Sequence, residues 1–245
     1  MNEDSLDKIL GGKLRIFQKK RGYRFSLDSF LLAYFVSLKS KGKALDLGTG
    51  NGIIPLLLAA HYPHVAWVGL EIQEEMARLA RKSIELNGLQ DRIEVVTGDA
   101  RKIEEIFPAR AFDIVTCNPP YRRVNSGRIN PDQEKAIARH EIVGSLSHFL
   151  RAAKYLLKPG GRFFTIYPAE RLAELIYQFR LHGTEPKTME LVFSDEDSVA
   201  EFVLVEGRAG SREELTIKPP LFIYNRNKKY TEKMNDIFNA LAGDD

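Results

Sequence analysis

Cysteine is nearly missing from this chain: Cys117 is the only one in 245 residues. That excludes an intramolecular disulfide framework and suits a reducing compartment. Long apolar runs are missing too. The longest, residues 53–60, falls far short of the roughly 20 residues that span a bilayer, so no membrane association is expected. Neither sign of charge is in marked excess. Lys and Arg number 36 against 33 Asp and Glu, for a net charge of +3, which alone does not announce a nucleic-acid partner. The opening stretch MNEDSLDKIL has no basic segment followed by an apolar one, so no signal peptide is expected and the cytoplasm is the expected address. The five histidines show no metal-ligand spacing, and no metal is expected.

What the chain has is alternation. Short β-rich runs at 44–47, 65–70, 93–96, 112–116 and 162–167 are separated by helical patterns at 54–61, 74–87 and 142–157. This is the order of a parallel sheet covered by helices. Asn87-Gly88 predicts a helix C-cap, and Lys158-Pro159-Gly160-Gly161 a turn between helix and strand. Residues 187–193 and 199–206 predict an antiparallel hairpin ending the sheet. Ahead of the alternating region, 14–18 and 23–26 predict a short hairpin with its turn at 19–22. Asp28 is then expected to cap a buried helix over 29–38. After it come a strand-like stretch at 215–224, broken by Pro219-Pro220, and a last helix at 231–241. With no repeat or low-complexity linker, one domain over 1–245 is expected. Its core is 41–206, with an N-terminal hairpin-and-helix extension over 1–40 and a C-terminal extension over 207–245.

The first strand runs into Gly48-Thr49-Gly50-Asn51-Gly52 and then a helix. That arrangement brings backbone N–H groups against a ligand. A dinucleotide loop reads G-x-G-x-x-G, whereas here the last position is Ile53 and the spacing is Asp46-x-Gly48-x-Gly50-x-Gly52. A pyrophosphate is ill served by a carboxylate beside it, but a cationic ligand is well served. S-adenosylmethionine, with a sulfonium and an ammonium, fits. Glu71 ends the second strand and suits two ribose hydroxyls; Asp99 ends the third and suits an adenine amine; Ile72 and Ala100 follow them. Three carboxylates after three successive strands converge on one crevice, because ligands of open α/β sheets bind at the strands' C-terminal ends. This ordered set resembles the class I S-adenosylmethionine-dependent methyltransferases over about residues 41–206. The resemblance implies a Rossmann-like, seven-stranded, mostly parallel sheet whose last strand is antiparallel, with helices on both faces.

The fourth strand delivers Asn118-Pro119-Pro120-Tyr121 to the same edge. The prolines stiffen the segment and remove two N–H donors. The Asn118 side-chain carbonyl and the Pro119 backbone carbonyl then suit an exocyclic –NH₂ with two hydrogens to donate. Tyr121 offers a face for a flat base. Cys117 reads as a small core residue. The segment resembles the Asn-Pro-Pro-Tyr motif of amino methyltransferases, which implies that Asn118 and Pro119 hold the target nitrogen and Tyr121 stacks on it.

That motif is shared by enzymes acting on adenine N6, guanine N2 of rRNA and the glutamine amide of translation factors. It names a nitrogen class and leaves the substrate open. The stretches 23–32 and 215–221, with Tyr224 and Lys229-Tyr230-Thr231, are similar to the bacterial family that methylates N6 of adenine 37, beside the anticodon of valine tRNA. The resemblance implies that Phe25, Leu27 and Asp28 help close the cofactor pocket. Basic residues Lys19, Lys20 and Arg21 before it, and Arg122, Arg123 and Arg128 after Tyr121, are candidates for tracking RNA phosphates. A glutamine-amide enzyme would carry a helical docking domain that the short basic N-terminus does not resemble. A non-catalytic RNA-binding scaffold would show an eroded glycine loop or Asn-Pro-Pro-Tyr segment, and both are intact.

Overall fold

The computed structural model describes residues 4–20, 25–38, 42–120 and 145–243. Strands β3 (Gly42–Leu47), β4 (Val65–Glu71), β5 (Ile93–Thr97), β6 (Phe112–Cys117) and β7 (Leu157–Pro168) form the parallel part of one sheet. Strands β8 (Thr184–Phe193) and β9 (Ala200–Ala209) complete the expected seven. The spatial order is β8-β9-β7-β6-β3-β4-β5. β9 is antiparallel to both its neighbours, so the last of the seven strands in sequence is antiparallel, as expected, and it lies between β7 and β8. Two-residue strands β10 (Thr216–Ile217) and β11 (Leu221–Phe222) pair with β8 and bring the sheet to nine strands among the described residues. They are the expected 215–224 strand cut in two, because Pro219 and Pro220 cannot donate to a ladder.

Helices cover both faces. On one face α1 (Leu27–Phe35), α2 (Ile53–His61) and α7 (Glu232–Ala242) pack over Trp67, Phe164, Ile166 and Leu204. On the other, α4 (Ile103–Ile106), α5 (Leu146–Leu156) and α6 (Leu172–Leu181) pack over Val68, Val115, Phe163 and Val205. Neighbouring strand residues thus feed opposite cores, as a period of two requires. Helix α3 (Glu74–Leu86) buries Met76, Ala77, Leu79, Ala80, Ser83 and Ile84 on one stripe and carries Glu74 and Glu75 in its first turn. Asn87 caps it, and Gly88, at φ +66°, ends it. Helix α5 starts at Ser145, whose side chain makes a reciprocal capping box with His148. The expected start at 142 lies outside the described residues.

Two sequence expectations are corrected at the N-terminus. The hairpin partner of β2 (Leu14–Lys19) is β1 (Asp4–Ile9), upstream, while half of the expected partner, residues 23 and 24, lies outside the described residues. The reversal falls at Leu10–Gly12, where Gly11 and Gly12 take φ of +64° and +91°, values open to glycine at no steric cost. Phe25 and Ser26 lie outside any strand. Helix α1 begins two residues earlier than expected, with Ser26 at the N-cap position. Asp28 sits inside the first turn, where its carboxylate accepts from the Ser29 N–H at 2.9 Å and from the Ser26 hydroxyl.

Side chains hold the hairpin on the sheet. The N–H and C=O groups of Arg15 and Phe17 face away from β1. Asn87 accepts from Arg15 N at 3.0 Å and donates to Arg15 O at 2.6 Å. Ser83 Oγ accepts from Phe17 N at 2.9 Å, and Asn51 Nδ2 donates to Phe17 O at 3.3 Å. An edge that would otherwise carry unmet polar groups is thereby satisfied.

Candidate active site

The strand order reverses between β3 and β6, which leaves a crevice at the carboxyl ends of the two strands. The glycine loop leaves β3 here. Gly48, Gly50 and Gly52 all take positive φ, at +70°, +59° and +83°, so the one-in-two glycine spacing answers a backbone demand. The N–H groups of Gly48 and Thr49 both donate to Leu70 O, at 2.8 and 3.0 Å, and Gly52 N donates to Thr49 O at 2.9 Å. Gly69 is part of the same fit: a Cβ there would lie 2.7 Å from Thr49 Cγ2.

Glu71, at the end of β4, braces the loop. Its Oε2 accepts from Gly50 N at 2.8 Å and its Oε1 from Gln73 N at 2.9 Å. Burial raises its carboxyl above the ordinary range, against those backbone donors. Asp46 is enclosed more completely, at 1% exposure, and burial raises its carboxyl to about 7. The Thr116 hydroxyl opposes the rise by donating to Asp46 Oδ1 at 2.6 Å. The Thr49 hydroxyl lies near enough to oppose it as well, though it meets no hydrogen-bond geometry among the described residues. The charge of Glu71 adds to the rise. Asp46 Oδ2 is buried and has no hydrogen-bond partner among the described residues; the same holds for Asn51 Oδ1 and Asn118 Oδ1. Such orphaned acceptors cost about 1–3 kcal/mol each unless a ligand meets them, and here they flank one loop.

Asn118 follows β6 directly, beside β3 through the Leu47–Cys117 pairing. Pro119 is buried and Pro120 half-buried. Cys117 is fully buried, and burial next to Asp46 pushes its thiol well above the ordinary range. It is a core residue, as expected, with no thiolate to offer. Asp99, after β5, is engaged by a neighbour: Arg101 donates to it from the backbone N and from Nε, each at 2.9 Å. The Arg101 side chain holds its carboxyl below the ordinary range. Ile72 is half-buried and Ala100 buried beside these acids.

Phe25 is linked to the loop through β2, and Leu27 and Asp28 follow it in the first turn of α1. Gln18, 2% exposed, accepts from Phe25 N at 3.1 Å and donates to Asp7 at 2.7 Å, while the preceding residue's carbonyl receives Asn51. Lys19 is paired with Glu75, and Lys20 is exposed. Tyr121, Arg21, Arg122, Arg123 and Arg128 lie outside the described residues. Among the described residues no group of three His, Cys, Asp or Glu gathers as a metal site would, and no helix is long and apolar enough to cross a membrane.

Sequence reasoning missed Thr116, Gln18, Arg101 and the Ser83–Asn87 pair. Thr116 left a trace, being a polar residue in the buried part of strand Phe112–Cys117, two residues before Asn118. Only strand register reveals that it faces Asp46.

A family profile described as a methyltransferase domain matches residues 38–216. A tRNA1(Val) (adenine(37)-N6)-methyltransferase of Porphyromonas gingivalis is 33% identical over 62% of this chain and 61% of its own length. The match thus spans about three fifths of that relative. One of the same name from Bacteroides thetaiotaomicron is 30% identical over 78% of this chain and 86% of its own. A solved structure from Agrobacterium tumefaciens, described as a predicted O-methyltransferase, has a TM-score of 0.71 at 26% identity. It covers 88% of this chain and 97% of its own. With nearly three quarters of the sequence matched by the profile, this chain belongs to the methyltransferase domain family.

Proposed function

We propose that this chain is an S-adenosylmethionine-dependent N-methyltransferase acting on N6 of an adenine in tRNA, in the anticodon loop at adenine 37. One observation carries the reading. The Asn118 side-chain oxygen, a buried acceptor with no partner among the described residues, stands at the same strand ends as the orphaned oxygens of Asp46 and Asn51. The Asp46 and Asn51 oxygens call for a cationic, donor-rich ligand, and the Asn118 oxygen for an amine. The names of the relatives point the same way.

The residues present fit the cofactor. Asp46 Oδ2 and Asn51 Oδ1 are free to accept from an ammonium. Glu71 keeps a second lone pair on each oxygen for ribose hydroxyls, its first being taken by Gly50 and Gln73. Asp99 has to share its carboxylate between an adenine amine and Arg101. When bound, the cofactor supplies a methyl group on a cationic sulfur that leaves without acid assistance.

The rest of the chemistry belongs to the chain. An adenine amine is a poor nucleophile because its lone pair is delocalised into the ring. Asn118 Oδ1 and the Pro119 carbonyl, accepting one N–H each, turn the nitrogen toward tetrahedral geometry and free that lone pair. Neither is a base, so the surplus proton leaves the methylated nitrogen for solvent. Positioning and fixed dipoles then supply most of the rate. Tyr121 stacks on the base, and Arg122, Arg123 and Arg128, with Lys20 and Arg21, track phosphates. We assign residues 41–206 as the catalytic core, with extensions over 1–40 and 207–245, and the cytoplasm as the location, which suits a chain with one cysteine.

The test is transfer from labelled cofactor to unmodified tRNA, followed by nucleoside analysis. N6-methyladenosine is expected. Label in guanine, or in protein alone, overturns the reading.

A further inference from the structure

Five aromatic rings run in a line from the C-terminal strands to the start of α1. Tyr224 and Tyr230 are stacked, with centroids 5.3 Å apart and planes 17° from parallel. Tyr230 meets Phe238 edge-on at 5.2 Å, Phe238 meets Phe30 edge-on at 5.8 Å, and Phe30 lies 5.8 Å from Phe25. The line opens on a groove of about 520 Å³ whose walls include Leu10, Phe25, Leu27, Phe30, Tyr230 and Phe238. Core packing accounts for Phe30, but Tyr230 remains 41% exposed.

Its exposure is a fixed one. Tyr224 and Tyr230 are bridged through their backbones, and Asn225 N donates to Lys229 O at 2.8 Å. The next residue, Thr231, caps α7 by accepting from Met234 N at 3.2 Å, and its hydroxyl donates to Phe222 O at 2.8 Å. A ring held this way loses little entropy when a flat ligand settles on it.

The surroundings carry a charge preference. The chain on either side of the uncharged wall residues, 8–13, 25–30 and 225–238, holds six Lys or Arg against Asp28, Glu232 and Asp236. Asp28 is buried, and Lys13 and Lys233 donate to Ala242 O and the Tyr34 hydroxyl. Arg226 and Lys228 are paired with Glu196 and Asp195. Lys8 and Lys229, next in sequence to the wall residues Ile9 and Tyr230, are exposed. The groove also adjoins the candidate active site through Phe25, which is tied to Gln18 on the strand that contacts the glycine loop.

We propose that this groove seats unpaired bases of the RNA next to the one being methylated, stacked on Tyr230 and Phe238, with Lys8 and Lys229 toward the phosphates. The inference rests on the RNA reading of the substrate. Flat faces bordered by cations suit a polyanion with exposed bases, whereas a helical protein partner would call for an aliphatic trough and gain nothing from the lysines.

Binding of tRNA to the full chain tests it. Tyr230→Leu keeps apolar bulk but removes the π face. It is expected to weaken tRNA binding about tenfold, with cofactor affinity and the thermal midpoint unchanged, while Tyr230→Trp binds at least as tightly as wild type. Wild-type tRNA affinity in Tyr230→Leu overturns the proposal. So does an altered sedimentation state with unaltered tRNA affinity, which would mark the groove as a seat for a second copy. Should the leucine variant unfold, ultraviolet cross-linking of wild-type protein to bound tRNA decides. Adducts are expected on Tyr230, Phe238 or Phe25, and adducts confined elsewhere reject the groove. A wild-type chain that binds no tRNA defeats the RNA reading itself, whereas tRNA binding indifferent to Tyr230 removes the groove alone.

Discussion

Thr116 donates its hydroxyl to Asp46 Oδ1 at 2.6 Å, across the β3–β6 pairing, and leaves Oδ2 as the oxygen without a partner. One strand thus orients the acid at the end of its neighbour and, two residues later, delivers Asn118.

Thr116→Val removes the one hydrogen-bond donor that the Asp46 carboxylate has among the described residues, so its carboxyl moves further up. A hydrogen bond to a charged group contributes about 1.5–3 kcal/mol, which corresponds to at least a tenfold loss of cofactor affinity near neutral pH. Titration calorimetry between pH 6 and 9 should find affinity recovering only at higher pH in the valine variant, and Thr116→Ser restoring the wild-type profile. A profile unmoved by valine would remove Thr116 from this role.

Asp46 also sets an opposition between stability and binding. Its folded-state carboxyl titrates near 7, above the ordinary 3.8. The stability this shift contributes is complete below about pH 4 and is lost as pH rises through 7. Above that, the empty fold carries a buried charge worth at most about 4 kcal/mol. Asp46→Asn should therefore stabilise the ligand-free protein at pH 8 more than at pH 6 in urea unfolding, while weakening cofactor binding. An equal effect at both pH values would contradict the assignment.

Asn118→Ala should keep cofactor affinity within a few fold and lose turnover by several orders of magnitude, because the clamp acts on the target nitrogen and not on the donor. Calorimetry and a methyl-transfer assay separate the two, and near-normal turnover would rule out the clamp.

Ser83→Ala leaves Phe17 N without its acceptor. The expected cost is about 1–2 kcal/mol, and limited proteolysis should cut the N-terminal hairpin sooner than in wild type. Unchanged unfolding and cleavage would show that water replaces the hydroxyl without penalty.

The parallel core was legible because its signals are local. Apolar runs of strand length, the glycine loop, Asn87-Gly88 and the order Asp46, Glu71, Asp99 each lie within a few residues of chain. The N-terminal hairpin was not, because Ser5, Asp7 and Lys8 make β1 look like a solvated tail, and its pairing with β2 shows no periodicity strong enough to read. The same limit hid the insertion of β9 between β7 and β8, since strand order depends on long-range packing. At the site, residue types announced the acceptors, but Arg101 on Asp99 and Thr116 on Asp46 depend on side-chain direction and register, which spacing does not encode.

The outer edge of β2 is met by the side chains of Ser83, Asn87 and Asn51 and not by a continued backbone ladder, while buried Leu14 and Ile16 and the ion pairs of Asp4 and Lys19 with α3 hold the hairpin as well. The polar groups of that edge therefore depend on three replaceable side chains, one of them inside the glycine loop. Drift at Ser83 or Asn87 would leave backbone groups of that edge unmet while every strand stayed intact, within two residues of the Phe17 carbonyl that Asn51 holds. Selection for a well-shaped loop therefore reaches helix positions that touch no ligand.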